Sequence, residues 1–598
     1  MTAPIENDLT AAYREYAAGN LERALGVCEA ILSREPDLAP VLHLAGISAL
    51  ALGRGDDAIR LLRRAVAVAP QDADAENALS AAFQAKGETR EALAAAGRAL
   101  RLRPDFADAE NRIGVILRGL GRTADALAVF SEAAARHPAM AEIQNNLAVT
   151  LHESGRVAEA AEAFRCSLDL APDSAVAWAG LGAALLALGQ KAEALDACRA
   201  ALAREPDNAA AALGLGHAQV ANGAYAEAVE SYAQAAAREP DLIEAHLGIF
   251  AAAQIAGDLP RALRHQNEAL ARQRLYVEPS LTAPATRKVL ILLTPGPWAA
   301  NVPLDFVLDR SRATFYKLYL LDERAFDDLA RLDDYDLVFN AIAESDEARP
   351  CLDLADRLAR AQAKPVLNAP AIVRTLSRDG VTARLDGAAG VRTARICRLD
   401  RGDLAPGRIA SRLAKAGIAW PFLIRPVMSQ AGVDLAKVGS PAELESYLAK
   451  TVADAFYLSA FVDYRSTDGY FRKYRVIFVA GEAYPCHLAI SREWMVHYYN
   501  AGMYENAWMR DEERRFLADI RAAFGADQMR ALAEIAARIG LDYFGIDCAI
   551  MPDGQVLVFE ADPAMIVHVM DPIEVFPYKH QYVPRIFQAV MRLIECGA

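Results

Sequence analysis

The chain has 598 residues, of which 54% are apolar and 24% charged, a balance that excludes an intrinsically disordered protein. Its formal charge of −14 argues against nucleic acid as the main partner, because phosphate binding requires a basic face. No run of about 18 apolar residues marks a membrane span, the N-terminus lacks a secretion signal, and the eight cysteines form no C-x-x-C pair. These features predict a cytoplasmic, multidomain protein that binds neither nucleic acid nor membrane.

A 34-residue period runs through the N-terminal half. Proline stands at positions 36, 70, 104, 138, 172, 206 and 240, glycine at 19, 53, 87, 121, 155, 189, 223 and 257, and alanine at 24, 58, 92, 126, 160, 194, 228 and 262. Glycine supplies the left-handed residue that ends one helix, alanine lets two helices cross closely, and proline follows the second helix. Because one helix pair cannot bury its own apolar face, the units are expected to stack.

This Gly–Ala–Pro pattern resembles the tetratricopeptide repeat (TPR) family, over about residues 5–275 and in eight units. The resemblance implies an all-α solenoid, assigned to residues 1–275, whose concave groove binds peptides or proteins. Units three to five supply the candidate groove side chains: Asn77, Asn111, Asn145, Asn146 and Arg118. Asparagines in a row can offer a donor and an acceptor to each peptide unit of an extended ligand. The alternative is that they are ordinary solvated positions.

The repeat ends near residue 275, and residues 276–288 are predicted to be a linker because they contain two prolines and no apolar period. Short apolar runs at 288–293, 335–342 and 364–370 then read as buried parallel strands. An amphipathic helix lies between the last two runs. This order predicts an α/β domain over residues 289–400.

Residues 401–598 combine strands with charged and small residues. Arg425 and Pro426 lie on a predicted strand, and the small-residue loop 429–433 follows it. Two hairpins are expected, over 471–490 with a turn at 480–482 and over 541–563 with a turn at 552–554. Backbone N–H groups of a small-residue loop can approach a phosphate, so this segment is a candidate anion site.

The second hairpin carries three carboxylates, Asp547, Glu560 and Asp562. Glu560 and Asp562 are two residues apart and therefore face the same side of a strand, and the tight turn brings Asp547 level with Glu560. Hard oxygen ligands in this arrangement suit Mg²⁺, which in turn bridges the phosphates of a substrate. The alternative is an exposed acidic sheet face.

As an ordered set, these motifs resemble the ATP-grasp enzymes, with a preceding α/β domain similar to that of D-alanine–D-alanine ligases. The resemblance implies a multidomain chain: the TPR solenoid, an α/β pre-ATP-grasp domain (289–400) and an α+β ATP-grasp domain (401–598). It implies ATP and Mg²⁺ as cofactors, and the magnesium ligands would be Asp547, Glu560 and Asp562. The expected nucleotide-binding residues are Arg378, Arg425, Ser429, Gln430, Gly432, Ala460, Phe461 and Val462.

Catalytic roles follow from the same resemblance. Arg475 would hold the transferred phosphate, Arg492 could clamp a carboxylate, and His497 could deprotonate an incoming ammonium. The pattern departs from the family in having arginine where a phosphate-binding lysine is usual at 425, aspartate for asparagine at 562, and Ala460 near the place of a ribose-binding glutamate. Asp463 and Asp468 are alternatives for the ribose.

The expected activity is that of an ADP-forming carboxylate–amine ligase. It would activate a carboxylate as an acyl phosphate and join it to an amine or amino acid, with the groove recruiting a peptide or protein substrate. One alternative is a scaffold protein whose ATP-grasp domain binds nucleotide without catalysis. Another is a small-molecule amino-acid ligase whose repeats serve only for assembly, and a homodimer is also compatible with the sequence.

Overall fold

A computed structural model describes residues 3–282, 287–332, 334–427, 429, 432–497 and 501–597. Two compact units divide the chain, residues 1–265 and residues 266–598. The sequence-based boundary at residue 275 therefore lies ten residues beyond the division in the structure, which falls inside a helix. Within the described residues, no helix is both long and apolar enough to cross a lipid bilayer.

Helices in antiparallel pairs build residues 1–265, and the last helix of this series continues past residue 265. They are α1 (Ala3–Ala17), α2 (Leu21–Arg34), α3 (Ala39–Ala51), α4 (Gly55–Val68), α5 (Ala73–Ala85), α6 (Thr89–Leu102), α7 (Ala107–Gly119), α8 (Thr123–Arg136), α9 (Ala141–Glu153), α10 (Val157–Leu170), α11 (Ala175–Ala187), α12 (Lys191–Arg204), α13 (Ala209–Ala221), α14 (Tyr225–Arg238), α15 (Ile243–Ile255) and α16 (Leu259–Arg272). Each pair is one 34-residue unit, so α5–α6 is unit three and α11–α12 is unit six.

The periodic residues have the roles that the sequence predicts. All eight periodic glycines have positive φ, between +71° and +85°, where the chain turns from the first helix to the second. All eight periodic alanines have no exposed surface. A larger side chain at these helix crossings would force the helices apart, so the period is maintained by close packing.

The second unit begins with a five-stranded α/β sheet in the order β1-β3-β2-β4-β5. Its strands are β1 (Leu275–Glu278), β2 (Arg287–Leu293), β3 (Ala313–Tyr319), β4 (Leu337–Asn340) and β5 (Val366–Leu367), with helices α17 (Ala325–Ala330) and α18 (Arg349–Ala361) between them. Strands β2 to β5 are parallel, whereas β1 runs antiparallel to β3. The segment expected to be a linker thus contains an edge strand, because partnered backbone can form a strand without apolar periodicity.

Two further sheets follow, with the orders β7-β10-β8-β9 and β12-β11-β13-β14-β6. Their strands are β6 (Val391–Thr393), β7 (Ile396–Asp400), β8 (Phe422–Pro426), β9 (Ala436–Val438), β10 (Ala455–Ala460), β11 (Phe471–Val479), β12 (Glu482–Ser491), β13 (Tyr543–Ile550) and β14 (Val556–Asp562). The helices are α19 (Pro370–Val373), α20 (Arg378–Leu385), α21 (Ile409–Ala416), α22 (Pro441–Lys450), α23 (Ala507–Ala518), α24 (Ile520–Ile539), α25 (Pro577–Tyr582) and α26 (Pro584–Cys596). Both predicted hairpins are confirmed, with turns between β11 and β12 and between β13 and β14.

Buried Asn368 joins the α/β sheet to the β11–β14 sheet. Its side chain donates to the carbonyl of Tyr543 and accepts from the N–H of the same residue, both at 2.8 Å. Its own backbone N–H donates to Asp542, and its carbonyl accepts from Asn340. Because these groups are buried, they would otherwise be unsatisfied. The main apolar core contains residues of the α/β sheet and of the β11–β14 sheet, so these two sheets belong to one compact body.

Candidate functional site

A row of ionisable side chains crosses four strands of the β12-β11-β13-β14 sheet. The register pairs His487 with Arg475, Arg475 with Asp547, and Asp547 with Glu560. Directly opposed residues of antiparallel strands point to the same face, so these four side chains share one side of the sheet. The hairpin turn thus brings Asp547 level with Glu560, as the sequence predicts.

Asp547 is 2% exposed and is paired with two cations. Arg475 donates to its carboxylate from two nitrogens, at 2.8 and 3.1 Å, and Lys473 Nζ lies 3.0 Å away. Burial alone would raise the pKa of the Asp547 carboxyl, but Arg475 and Lys473 hold it below the ordinary value. The carboxylate is therefore fully ionised at neutral pH.

Glu560 and Asp562 differ from each other although both end β14. An ion pair of 2.7 Å joins Glu560 to Arg378, at the first position of α20. Burial opposes ionisation of Glu560, yet Arg378 lowers the net pKa of its carboxyl. Asp562 accepts a hydrogen bond from the backbone N–H of Ala564 at 2.7 Å, and burial raises its pKa. The structure therefore groups the ionised carboxylates of Asp547 and Glu560 more closely with each other than either with Asp562.

The β7-β10-β8-β9 sheet contributes a second charged row. Tyr457 is paired in register with Arg398 on one side and with Arg425 on the other. Arg425 is only 9% exposed, and burial together with the neighbouring charge of Arg378 lowers its pKa to about 10. The guanidiniums of Arg425 and Arg378 repel each other, and Glu560 lies nearby. A bound anion would therefore stabilise this site.

Ser429 and Gly432 hold the small-residue loop next to this cationic site. Arg425 donates to both the hydroxyl and the backbone carbonyl of Ser429. Gly432 has a φ of +75°, and a Cβ at this position would overlap the ring of His497. The absence of a side chain at Gly432 therefore lets the loop backbone lie against His497. Gln430, the other loop residue predicted to bind nucleotide, lies outside the described residues.

Of the expected nucleotide-binding residues, Ala460 ends β10, and Phe461 and Val462 follow it. The backbone N–H of Ala460 donates to the carbonyl of Arg395. The ring of Phe461 lies under Lys437 Nζ at 3.5 Å and meets the ring of Trp494 edge-on at 5.9 Å, while Val462 packs against the main core. These contacts make a partly aromatic wall of the kind that stacks on a planar base.

The two aspartates considered for the ribose are engaged elsewhere. Asp463 is bonded to Arg465, and Asp468 receives two bonds from Arg472. Each would have to exchange an arginine for a hydroxyl in order to bind a sugar. The structure therefore does not identify either aspartate as the ribose-binding residue.

The charged cluster consists of Arg378, Arg425, Lys473, Arg475, Asp547 and Glu560. Of the remaining catalytic candidates, His497 lies beside the cluster and Arg492 is bonded outside it. Burial and the charge of Lys473 lower the pKa of His497, so its imidazole is neutral at pH 7. Arg492 is exposed and donates to the hydroxyl of Tyr470 at 3.2 Å. A neutral imidazole can accept a proton, whereas Arg492 would first have to leave Tyr470 to clamp a carboxylate.

Two charged residues, Lys473 in the cluster and Glu344 beside it, were not singled out from the sequence. Lys473 shares a strand face with Arg475, two residues away, and that spacing would have been sufficient to find it. Glu344 follows β4, and burial together with Asp346 and Asp562 raises the pKa of its carboxyl to about 7, although Arg349 partly opposes the shift. Asp346 and Arg349 are close to Glu344 in sequence, but its burial and the approach of Asp562 depend on the fold and leave no signal in the sequence.

Two of the three carboxylates, Asp547 and Glu560, have the chemistry that a magnesium ion would require. Within the described ranges, no set of three or more His, Cys, Asp and Glu side chains is arranged to hold a metal ion. Magnesium is usually held by one or two carboxylates together with substrate phosphates, and Asp547 and Glu560 are two such residues on one face. Their present partners, Arg475, Lys473 and Arg378, would have to release oxygens to the ion.

In repeat units three to five of residues 1–265, the candidate groove residues form a polar ladder. Arg112 donates to Asn77 at 3.0 Å, and Asn146 donates to Asn111 at 2.8 Å. Counted from the first residue of the first helix of each unit, each bond joins the fifth position of one unit to the sixth position of the next. Asn111 also donates to Glu142 at 2.7 Å. Asn77, Asn111 and Asn146 are buried, so the ladder ties neighbouring units together rather than presenting free amides.

The ladder stops at unit six, where the sixth position is Gly180. A Cβ on Gly180 would overlap the ring of Phe164, which fills the space of the missing side chain. Among the described residues, the buried Oδ1 of Asn145 and the buried Nη1 of Arg118 have no hydrogen-bond partner. Of the five predicted groove residues, Asn145 and Arg118 are therefore the two whose side chains have a buried atom without a hydrogen-bond partner.

Family models of tetratricopeptide repeats match residues 15–82, 77–134, 112–175 and 185–247. Among solved structures, the APC/C hetero-tetramer Cut9–Hcn1 is 19% identical with a TM-score of 0.37, and the match covers 44% of this chain and 52% of that one. The chain thus spans about half the length of that structure. No curated protein matches the sequence.

Two bacterial structures match nearly whole. A thermophilic TPR protein of Thermus thermophilus is 26% identical with a TM-score of 0.28, covering 30% of this chain and 99% of that one. The pilF protein of Pseudomonas aeruginosa is 21% identical with a TM-score of 0.31, covering 34% and 91%. With the family models, the 34-residue period and the paired helices, the N-terminal part is a TPR solenoid, and a mixed α/β region follows it.

Proposed function

We propose that residues 266–598 are an ATP- and Mg²⁺-dependent ligase of the ATP-grasp type, which joins a carboxylate to an amine. The observation that carries the proposal is the convergence of four cations, Arg378, Arg425, Lys473 and Arg475, on Asp547 and Glu560. A site with this composition suits a polyphosphate and a divalent ion better than it suits a neutral ligand. Helix α20 and two sheets supply these side chains, because Arg378 lies on α20, Arg425 on β8 and the others on β11, β13 and β14.

The chemistry requires charge neutralisation more than covalent help. A carboxylate oxygen attacks the γ-phosphorus of ATP, the bond from that phosphorus to the β–γ bridging oxygen breaks, and ADP leaves. The amine nitrogen then attacks the acyl carbon, the carbon–oxygen bond to phosphate breaks, and inorganic phosphate leaves. Mg²⁺ bound by Asp547 and Glu560 would supply positive charge to the phosphates.

The side chains of the chain have separate roles in this scheme. Arg425 and Arg378 bind phosphate oxygens, and Arg475 with Lys473 stabilises the charge that develops on the transferred group. His497 is neutral at pH 7 and accepts the proton that the incoming ammonium must lose. Cys486 is not needed as a nucleophile, because burial raises the pKa of its thiol to about 12.

The TPR groove would recruit a peptide or protein that carries one of the reacting groups. Arg118 and Asn145 in units three to five would bind it, since the neighbouring asparagines are engaged in the ladder. Tethering raises the effective concentration of the reacting segment, so weak groove binding is sufficient.

Glu560→Gln tests the assignment. The full-length protein is mixed with Mg–ATP, a set of carboxylic acids and hydroxylamine as the amine, and ADP and hydroxamate are measured. We expect Glu560→Gln to lower turnover by about a hundredfold or more, whereas the exposed Glu482→Gln leaves turnover unchanged. Full turnover by Glu560→Gln would refute the metal assignment.

A scaffold protein that binds nucleotide without turnover is the second candidate. The ion pairs that already occupy Asp547 and Glu560 favour it, as do arginine at 425 and aspartate at 562. Calorimetry separates the two candidates, because the scaffold would bind Mg–ATP and release no ADP with any carboxylate.

A further inference from the structure

Apolar side chains are exposed beside the charged cluster, on a short 3-10 helix and on an irregular segment of the second unit. Phe306 is 44% exposed and lies between β2 and β3, while Ile566 and Met570 are 50% and 66% exposed and follow β14. We name these three residues the apolar rim. Large apolar side chains grouped at a surface are a common mark of a binding site.

Rigid packing holds the rim in place. The neighbours of the rim residues, Val302, Leu304, Val307, Met565 and Val567, are buried in one apolar core. Buried and exposed residues alternate from Met565 to Ile566 to Val567, so the chain is anchored on one side while Ile566 faces outwards. The rings of Phe306 and His568 lie 6.5 Å apart, which brings the two segments together.

The rim adjoins the catalytic cations directly. Arg475 donates from Nη1 to the backbone carbonyl of Ile566 at 3.4 Å while its other nitrogens hold Asp547. One short segment therefore positions the guanidinium through its backbone and presents an apolar side chain outwards. A ligand with an anionic head at Arg475 would lay its body on Ile566.

We propose that the apolar rim binds the body of the carboxylic acid that the enzyme activates, and that this acid carries an aliphatic or aromatic group. Four cations, Arg378, Arg425, Lys473 and Arg475, surround the carboxylates of Asp547 and Glu560, so the charge of the site complements an anionic head. A second charged group placed on the rim would lose water against three apolar side chains. The identity of the reaction rests on the proposed function, whereas binding of the acid does not.

Binding and turnover are measured separately on the full-length protein. The probes are 3-phenylpropionate and octanoate as apolar acids, and succinate and glutamate as polar ones. Isothermal titration calorimetry in the presence of Mg²⁺ and a non-hydrolysable ATP analogue gives the affinity of each acid, and hydroxylamine trapping with ATP gives hydroxamate formation. We expect the apolar acids to bind about tenfold or more tightly than the polar ones.

Two rim variants and one control sharpen the test. Ile566→Asn and Phe306→Ser should each weaken the apolar acids by about tenfold and leave the Kd of Mg–ATP unchanged. Val452→Asn, at a fully exposed apolar position after α22, should change nothing. The same variants are examined by sedimentation, because loss of self-association in Ile566→Asn would identify the rim as a contact between copies and overturn the proposal.

The outcomes separate this inference from the proposed function. Selective binding of apolar acids without ADP or hydroxamate would support the rim and refute the ligase. Hydroxamate formed equally well from succinate or glutamate would support the ligase and overturn the rim. An unchanged preference in both rim variants, or no binding of any acid, would also overturn it.

Discussion

Replacing Asn368 should weaken the second unit more than any surface substitution, because its side chain satisfies two buried backbone groups of Tyr543. Asn368→Ala leaves that N–H and that carbonyl unpaired, at about 1–3 kcal/mol each, or about 2–6 kcal/mol together. Asn368 also has a φ of +54°, where alanine is strained by about 1 kcal/mol. Asn368→Gly loses the same hydrogen bonds without the strain, and should therefore be about 1 kcal/mol less destabilised than the alanine variant.

Urea denaturation followed by tryptophan fluorescence measures this loss. Four of the five tryptophans, at 298, 420, 494 and 508, lie in the second unit, so the signal reports mainly on it. The full-length protein is fitted with a separate transition for each unit, since a two-domain chain need not unfold in one step. A loss below about 1 kcal/mol in Asn368→Ala would refute the claim that this residue joins the sheets. Equal losses in the alanine and glycine variants would refute the strain argument.

Three further predictions concern other parts of the chain. Gly180→Ala should destabilise the solenoid by about 1–3 kcal/mol, because the new Cβ clashes with Phe164. Adding Phe164→Leu to the same chain should restore part of this stability, as measured by thermal unfolding. Additive losses in the double variant would exclude the contact. Asp547→Asn leaves Arg475 and Lys473 unpaired and should cost about 3–5 kcal/mol at pH 7. The folded-state pKa of Asp547 is lowered, so the stability that its ionised form contributes is present above the unfolded-state pKa of about 4 and is lost as pH falls through the folded-state pKa. The urea midpoints of wild type and Asp547→Asn should therefore converge below about pH 4. A constant difference between the two midpoints would contradict this. His497→Gln should lower turnover by about 10²–10⁴-fold and remove the acid limb that wild type shows below about pH 6.5, whereas an unchanged pH–rate profile would exclude His497 as the base.

The N-terminal fold could be predicted almost completely from the sequence. Helix ends, turns and crossings repeat with the 34-residue period, because each glycine, alanine and proline acts within its own unit. The hairpins were predicted for the same reason, since the turns at 480–482 and 552–554 are local signals.

The charged cluster could be predicted only in part. The pairing of Asp547 with Glu560 follows from one turn, but the contact of Glu560 with Arg378 joins residues 182 positions apart and has no local signature. Asn368 and Glu344 were missed for this reason. The amides of the groove were recognised from their spacing, yet their mutual hydrogen bonds depend on the rotation between units, which the period does not specify.

The ladder has a direction, and this limits how the array can change in length. Its contacts run from the fifth position of one unit to the sixth of the next. Tandem duplication of unit four would place Asn111 opposite a second Arg112, a pairing that Asn77 already makes, so every hydrogen bond would survive. Deletion of unit five would instead place Asn111 opposite Gly180, which has no side chain to offer. The ladder therefore tolerates a second copy of unit four but not the loss of unit five.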